Sequence, residues 1–156
     1  MCCYIKKIRK KIGKDPLFSP GASIIVYEKN KYLLQLRKDF NIWGLHGGSM
    51  ELGETGQEVA IRELKEETGL DTLKIHIFKT YSGKEFKIIY PNGDIVYPIV
   101  MAFIVTKTQG QITKLNKEVL ELKWFHEKDL PIENMMTIDK IFLKDFLKDK
   151  NKILNN

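Results

Sequence analysis

The chain has 156 residues, with 26 lysines and arginines against 20 aspartates and glutamates and a formal charge of +6. That length is enough for one domain with a real hydrophobic core and no disulfide framework. A composition of 43% hydrophobic and 29% charged residues excludes collagenous, mucin-like and wholly disordered classes. The longest apolar stretch, residues 97–105, is broken by Pro98 and falls far short of the ~20 residues of a membrane-spanning helix.

The N-terminus has no apolar core of a secretory signal, so a cytoplasmic location is expected. Cys2 and Cys3 are adjacent and cannot staple a fold in the usual way; they read as an exposed reduced pair, with a metal or redox role as the alternative. Tyr4, Ile5, Ile8 and Ile12 recur at helical spacing, predicting a basic amphipathic helix within residues 1–14 that stops at Gly13. Lys6, Lys7, Arg9, Lys10, Lys11 and Lys14 could meet nucleic acid or an anionic surface, but without interleaved aromatics they read first as a solvated face. Two β-rich runs, 23–27 and 32–36, form a hairpin about Glu28-Lys29-Asn30-Lys31. A glycine-bearing loop, 43–53, leads into a helix over 55–68 that Gly69 terminates. Strands follow near 73–81 and 85–90, and Pro91-Asn92-Gly93-Asp94 turns the chain into a strand over 95–106. A strand over 119–125 and an amphipathic helix centred on 135–147, within a segment 134–149, come last. The polar tail 150–156 is expected to fray.

On the central helix, 3.6 residues per turn put Glu63, Glu66 and Glu67 on one arc beside the apolar arc of Ala60, Ile61 and Leu64. Like charges at these spacings repel, more so when partly buried, so a positive partner is expected. A hard divalent cation fits because it takes oxygen ligands and leaves positions for water and phosphate. Arg62 is the rival within the sequence, but one guanidinium cannot neutralise three carboxylates. Between Gly48 and Leu70 the charge is −4, leaving about +10 for the rest of the chain. An acidic patch in a basic chain suits a polyanionic substrate bridged through metal; a solvated acidic helix is the plainer alternative.

The spacing separates these readings. Gly48, five residues, Glu54, seven residues, then Arg62-Glu63-Leu64-Lys65-Glu66-Glu67-Thr68-Gly69-Leu70 resembles the Nudix box at each of its fixed positions over 23 residues. The resemblance implies a single Nudix domain over 1–156, an α/β fold of the α/β/α sandwich type with a mixed β-sheet. It also implies hydrolysis of a nucleoside diphosphate linked to another moiety. Glu63, Glu66 and Glu67 match the positions that bind Mg²⁺ or Mn²⁺, and the Gly47 carbonyl matches a further ligand. Arg62 matches the residue that holds the glutamates in place, and Glu54 one that supports the loop. Glu63 is the expected proton acceptor, directly or through a bound water. The resemblance also implies a metal ligand from a later loop or strand. Glu118 stands six residues before Trp124, as in MutT-like members, and alternation puts it in phase with Leu120, Leu122 and Trp124. Glu121 is the alternative, and two plain surface acids are the other reading.

His46 stands where many members carry proline; it could reach a phosphate or a carboxylate, or be a tolerated loop substitution. Arg37 resembles a substrate-facing position in MutT-like members and could hold phosphate, with a surface salt bridge as the alternative. Tyr81, with Phe86, Tyr90 and Tyr97, is a candidate for stacking on a base, against the plainer reading of each as a core or sheet residue. The default substrate is a nucleoside triphosphate or related nucleotide. The alternatives are a 5′-triphosphorylated or capped RNA end met by the basic helix, and a nucleotide sensor that keeps the fold without turnover. An isopentenyl diphosphate isomerase would need a cysteine in the site, which Cys2 and Cys3 do not offer. No membrane partner is expected, and domains of this kind often pair as homodimers.

Overall fold

The computed structural model describes residues 3–113 and 117–154. Cys2, the Cys3 side chain and the last two residues of the tail lie outside that description. Helix α1 (Cys3–Ile12) precedes strands β1 (Leu17–Glu28) and β2 (Lys31–Arg37). Short strands β3 (Ile42–Gly44) and β4 (His46–Ser49) then lead into helix α2 (Gly56–Thr68). Strands β5 (Asp71–Tyr81), β6 (Ile88–Ile89), β7 (Ile95–Gln109) and β8 (Val119–His126) follow, and α3 (Thr137–Leu154) comes last.

The sheet runs β3-β2-β1-β7-β5, with β4 along β1, β6 along β7 and β8 along β2. Strands β1 and β7 pair in parallel from Leu17↔Val96 to Val26↔Val105, while the other strand pairs are antiparallel, so the sheet is mixed. The β1–β2 hairpin closes through Lys29 and Asn30 at φ 49° and 61°, the left-handed pair that a two-residue turn of this hand requires.

Side-chain alternation sends the central strands to two cores. Ile25, Tyr32, Leu34, Ala102 and Ile104 pack with Phe142, Leu143 and Phe146 of α3. Ile24, Val26, Leu33, Phe103 and Val105 pack with Val59, Ala60 and Leu64 of α2. Because both faces are covered, these strands are continuous apolar runs rather than alternating ones, and the expected α/β sandwich is what forms.

Two local expectations change. Residues 85–90 do not make a full strand: Gly83, at φ 131°, tightens the chain into a 3₁₀ turn over Lys84–Phe86. That turn drops Phe86 into the core against Tyr81, leaving only Ile88 and Ile89 to pair with β7. The tail does not fray from residue 150, since α3 continues to Leu154. Ile153 and Leu154 extend its apolar stripe onto the core, and Lys150 pairs with Glu127.

Helix α1 is docked through a buried Ile5. The Tyr4 amide donates to the Glu51 carboxylate at 3.1 Å, and Arg9 Nη2 donates to the Ile95 carbonyl at 2.8 Å. Lys6, Lys7, Lys10 and Lys11 face solvent. Among the described residues no helix is long and apolar enough to cross a membrane.

Candidate active site

Helix α2 carries the glutamates, and its two ends are fixed by its own sequence. Thr55 caps the N-terminus: its hydroxyl accepts from the Glu58 amide while the Glu58 carboxylate accepts from the Thr55 amide, a reciprocal capping box. Gly69 ends the helix at φ 78°, where its amide bonds the Lys65 carbonyl. Between the caps, Val59, Ala60 and Leu64 anchor the helix on the sheet. This sets Glu63 and Glu67 at the edge of the buried face and leaves Glu66 more than half exposed.

Arg62 ties the helix to the preceding loop. Its Nε donates to Glu54 Oε1 at 2.6 Å, Nη2 to Glu54 Oε2 at 3.0 Å, and Nη1 to Glu63 Oε1 at 2.7 Å. The Glu54 hydrogen bonds outweigh burial and keep the guanidinium firmly charged, and in return Arg62 holds the Glu54 carboxyl below its usual range. Burial pushes the Glu63 carboxyl above its usual range; Arg62 opposes the shift, and Glu67 and Glu66 reinforce it. Gly48 lies directly under this carboxylate, so that a β-carbon at 48 would come within 2.3 Å of Glu63 Oε1.

Glu67 is 7% exposed, and its Oε2 accepts three hydrogen bonds. They come from Gln35 Nε2 at 3.0 Å, His46 Nδ1 at 2.9 Å and the Gly47 amide at 3.3 Å. Gln35 Nε2 also donates to the Leu45 carbonyl at 2.9 Å. His46 thus reaches a carboxylate, one of the two contacts the sequence left open for it.

A cleft of about 110 Å³ adjoins these groups, lined among others by Arg37, His46, Gly47, Gly48, Tyr90 and Asp139. Arg37 pairs with Asp39 at 2.6 Å at its rim. Asp139, from the first turn of α3, is 6% exposed and accepts from the Leu45 amide at 3.0 Å and the Ser23 hydroxyl at 3.4 Å. Burial lifts its carboxyl to about 6 despite the nearby Arg37 charge. A wider concavity of about 500 Å³ beside Tyr27, His126 and Lys150 contains no residue of the glutamate motif.

Tyr81 is not brought to this cleft. It is 8% exposed, packs on Phe86 and Phe142, and donates its hydroxyl to Asp145 at 3.0 Å. Tyr90, the other β6-side candidate, does line the cleft. Glu118 precedes β8; its carbonyl accepts from the Lys38 amide at 2.9 Å, and its charge bears on Tyr90. The strand-alternation argument for it does not hold, because a bulge at Leu120 lets Arg37 pair with Val119 and Leu36 with Glu121. Gln35 and Asp139 were not singled out from sequence. Their only signals there are a polar residue within an apolar strand and an acid on the apolar side of α3.

Among the described residues no three acidic, histidine or cysteine side chains are gathered tightly enough to enclose a metal unaided. The donor set nonetheless suits a cation that keeps water and phosphate among its ligands. The desolvated Glu63 and the buried Glu67 are carboxylates that gain from added positive charge, and Gly48, having no β-carbon, lets the Glu63 carboxylate lie against the backbone. The class is therefore a layered α/β protein whose α2 carboxylates stand behind the His46-Gly47-Gly48 wall of a small cleft.

Comparison with known proteins gives the family. The NUDIX domain model matches residues 17–146. An ADP-ribose pyrophosphatase from Methanocaldococcus jannaschii is 33% identical over 95% of this chain and 87% of its own length. A putative 8-oxo-dGTP diphosphatase from Bacillus subtilis is 32% identical over 74% of this chain and 72% of its own length. The crystal structure of a MutT NUDIX hydrolase from Burkholderia pseudomallei superimposes with a TM-score of 0.70 at 20% identity, covering 82% of this chain and 97% of that one, a likeness of fold. The chain belongs to the Nudix family and is a hydrolase of phosphoric anhydride bonds. A divalent metal requirement comes with that membership.

Proposed function

We propose that this chain hydrolyses the pyrophosphate linkage of a nucleoside triphosphate or related nucleotide in the cytoplasm, with Mg²⁺ as the working metal and Mn²⁺ able to replace it. Glu63, Glu66, Glu67 and the Gly47 carbonyl would hold the ion, with Glu118 as a further ligand. When bound, the ion lowers the pKa of water and offsets charge on the phosphates. Glu63 accepts the proton from the attacking water. Its partial desolvation supports that role, since a carboxyl moved toward neutral pH is a better base than an exposed one. Arg62 fixes the Glu63 oxygen and, through Glu54, the loop that precedes α2. Arg37 and Tyr90 offer a cation and a ring to the nucleotide at the cleft wall. The observation that carries this reading is the Glu63 carboxylate clamped between Arg62 and the bare backbone of Gly48 at the cleft edge.

The test is phosphate and pyrophosphate release from nucleoside triphosphates, 8-oxo-dGTP, ADP-ribose and triphosphorylated RNA, with Mg²⁺ or with chelator. Metal-dependent turnover of one class, lost in Glu63→Gln and Glu66→Gln at unchanged Tm, supports the assignment. Full activity in both folded variants overturns it. A second reading, an RNA 5′ end as substrate, is favoured by the four solvent-facing lysines on the docked helix α1.

A further inference from the structure

Glu67 has one oxygen fully engaged and one without a hydrogen bond among the described residues. All three donors converge on Oε2: Gln35 from β2, and the ring and following amide of the residues that open β4. A carboxylate held this way cannot rotate without breaking all three bonds, so Oε1 is presented in one orientation. His46 is the most enclosed of the three donors, with no solvent exposure, and its Nε2 has no hydrogen-bond partner among the described residues. Because Oε2 can only accept, Nδ1 carries the proton of this hydrogen bond. A side chain that leaves a buried nitrogen unpaired accepts a desolvation cost, and the donation to Glu67 is the contact that its position provides in return.

We infer that His46 is a positioning residue for the metal site: its ring, with Gln35 and the Gly47 amide, locks Glu67 so that the free oxygen meets the cation. A proline at 46 has no side-chain donor and could not do this, so the lock belongs to this chain's own sequence. The inference rests on Glu67 being a metal ligand, as proposed above. Partners that orient a metal ligand typically change metal affinity 10–100-fold when removed.

The experiment is Mn²⁺ binding to the full chain without substrate, by titration calorimetry, with the fold checked by thermal melting. His46→Phe, which keeps a ring but no donor, should weaken Mn²⁺ binding about tenfold. His46→Asn, which keeps a donor at the δ position, should restore most of it. In a Glu67→Gln background His46→Phe should add nothing, because the ring acts through Glu67. If Glu67→Gln weakens binding and His46→Phe does not, the inference fails while the metal site stands. If Glu67→Gln leaves binding unchanged, the assignment of Glu67 as a ligand fails and takes the inference with it. Should His46→Phe not fold, ¹⁵N-histidine NMR of the unmutated chain decides. A protonated Nδ1 whose resonance moves in step with Mg²⁺ addition supports the lock, and an unprotonated Nδ1 overturns it.

Discussion

A carboxyl with almost no exposure and no ion pair among the described residues is poorly stabilised as an anion, and Asp139 is in that position. Its two hydrogen bonds and the Arg37 charge do not offset desolvation, so its pKa rises from 3.8 to about 6. A raised folded-state pKa means that the stabilising contribution is complete below the unfolded value and is lost as pH rises through the folded one. The window for Asp139 is therefore about pH 4 to 6, and the shift corresponds to at most about 3 kcal/mol. Asp139→Asn should melt like the parent near pH 4 and above it at pH 8, and thermal melts across that range check this. A gap in Tm that stays constant with pH would mean the carboxylate is compensated. Gly48→Ala makes a second residue-scale prediction. Its β-carbon would displace the Glu63 carboxylate, and displacements near 1 Å can cost on the order of 100-fold in rate. Turnover should fall at least tenfold with little change in Tm. The box residues were legible in the sequence because one helix sets their mutual positions. Gln35 and Asp139 were not, since they reach the site from β2 and α3 across 32 and 94 residues of chain.

At the scale of elements, α2 depends on its ends. Thr55→Ala removes the hydroxyl that receives the Glu58 amide and should cost about 1 kcal/mol, or roughly 2–4 °C in Tm. Gly69→Ala should cost more. It forces a β-carbon onto a residue at φ 78° and sets that atom 2.1 Å from Thr113 Oγ1. Melting curves that ranked the two variants the other way would show that the stop matters less than the start. Both signals were readable in advance, as were the β1–β2 turn and the Asn92-Gly93 reversal, because local conformation alone specifies them. The face that Tyr81 occupies was not. Strand β5 slips register against β7 near Leu73, between Lys74 and Ile75, and near Phe78, so counting by twos along it loses the face. Asp145 then captures the Tyr81 hydroxyl from α3, a partner 64 residues away. The parallel pairing of β1 with β7 was hidden in the same way, because no turn links strands so far apart in the chain.

Across the whole molecule, positive charge is concentrated on a helix that precedes the matched family domain. Residues 17–146 carry the family match, while α1 brings Lys6, Lys7, Lys10 and Lys11 to the surface on a backbone pinned by Ile5, Arg9 and the Tyr4–Glu51 bond. Glu51 also donates its amide to Glu54 Oε2, so the helix and the loop braced by Arg62 share an anchor. An RNA carries phosphates beyond those of a mononucleotide, and an outlying cation could meet them. Each phosphate contact on a single strand adds about 0.7 to the slope of log affinity against log salt. If RNA ends are substrates, replacing the four lysines by glutamine should raise KM for triphosphorylated RNA and flatten its salt dependence by up to that amount per lysine. The value of kcat, and KM for a mononucleotide, should not change, because the lysines touch neither the carboxylates nor the cleft. Steady-state kinetics on both substrates between about 50 and 200 mM salt separates the cases. An unchanged RNA slope would make α1 a solvated face and favour the mononucleotide as the substrate.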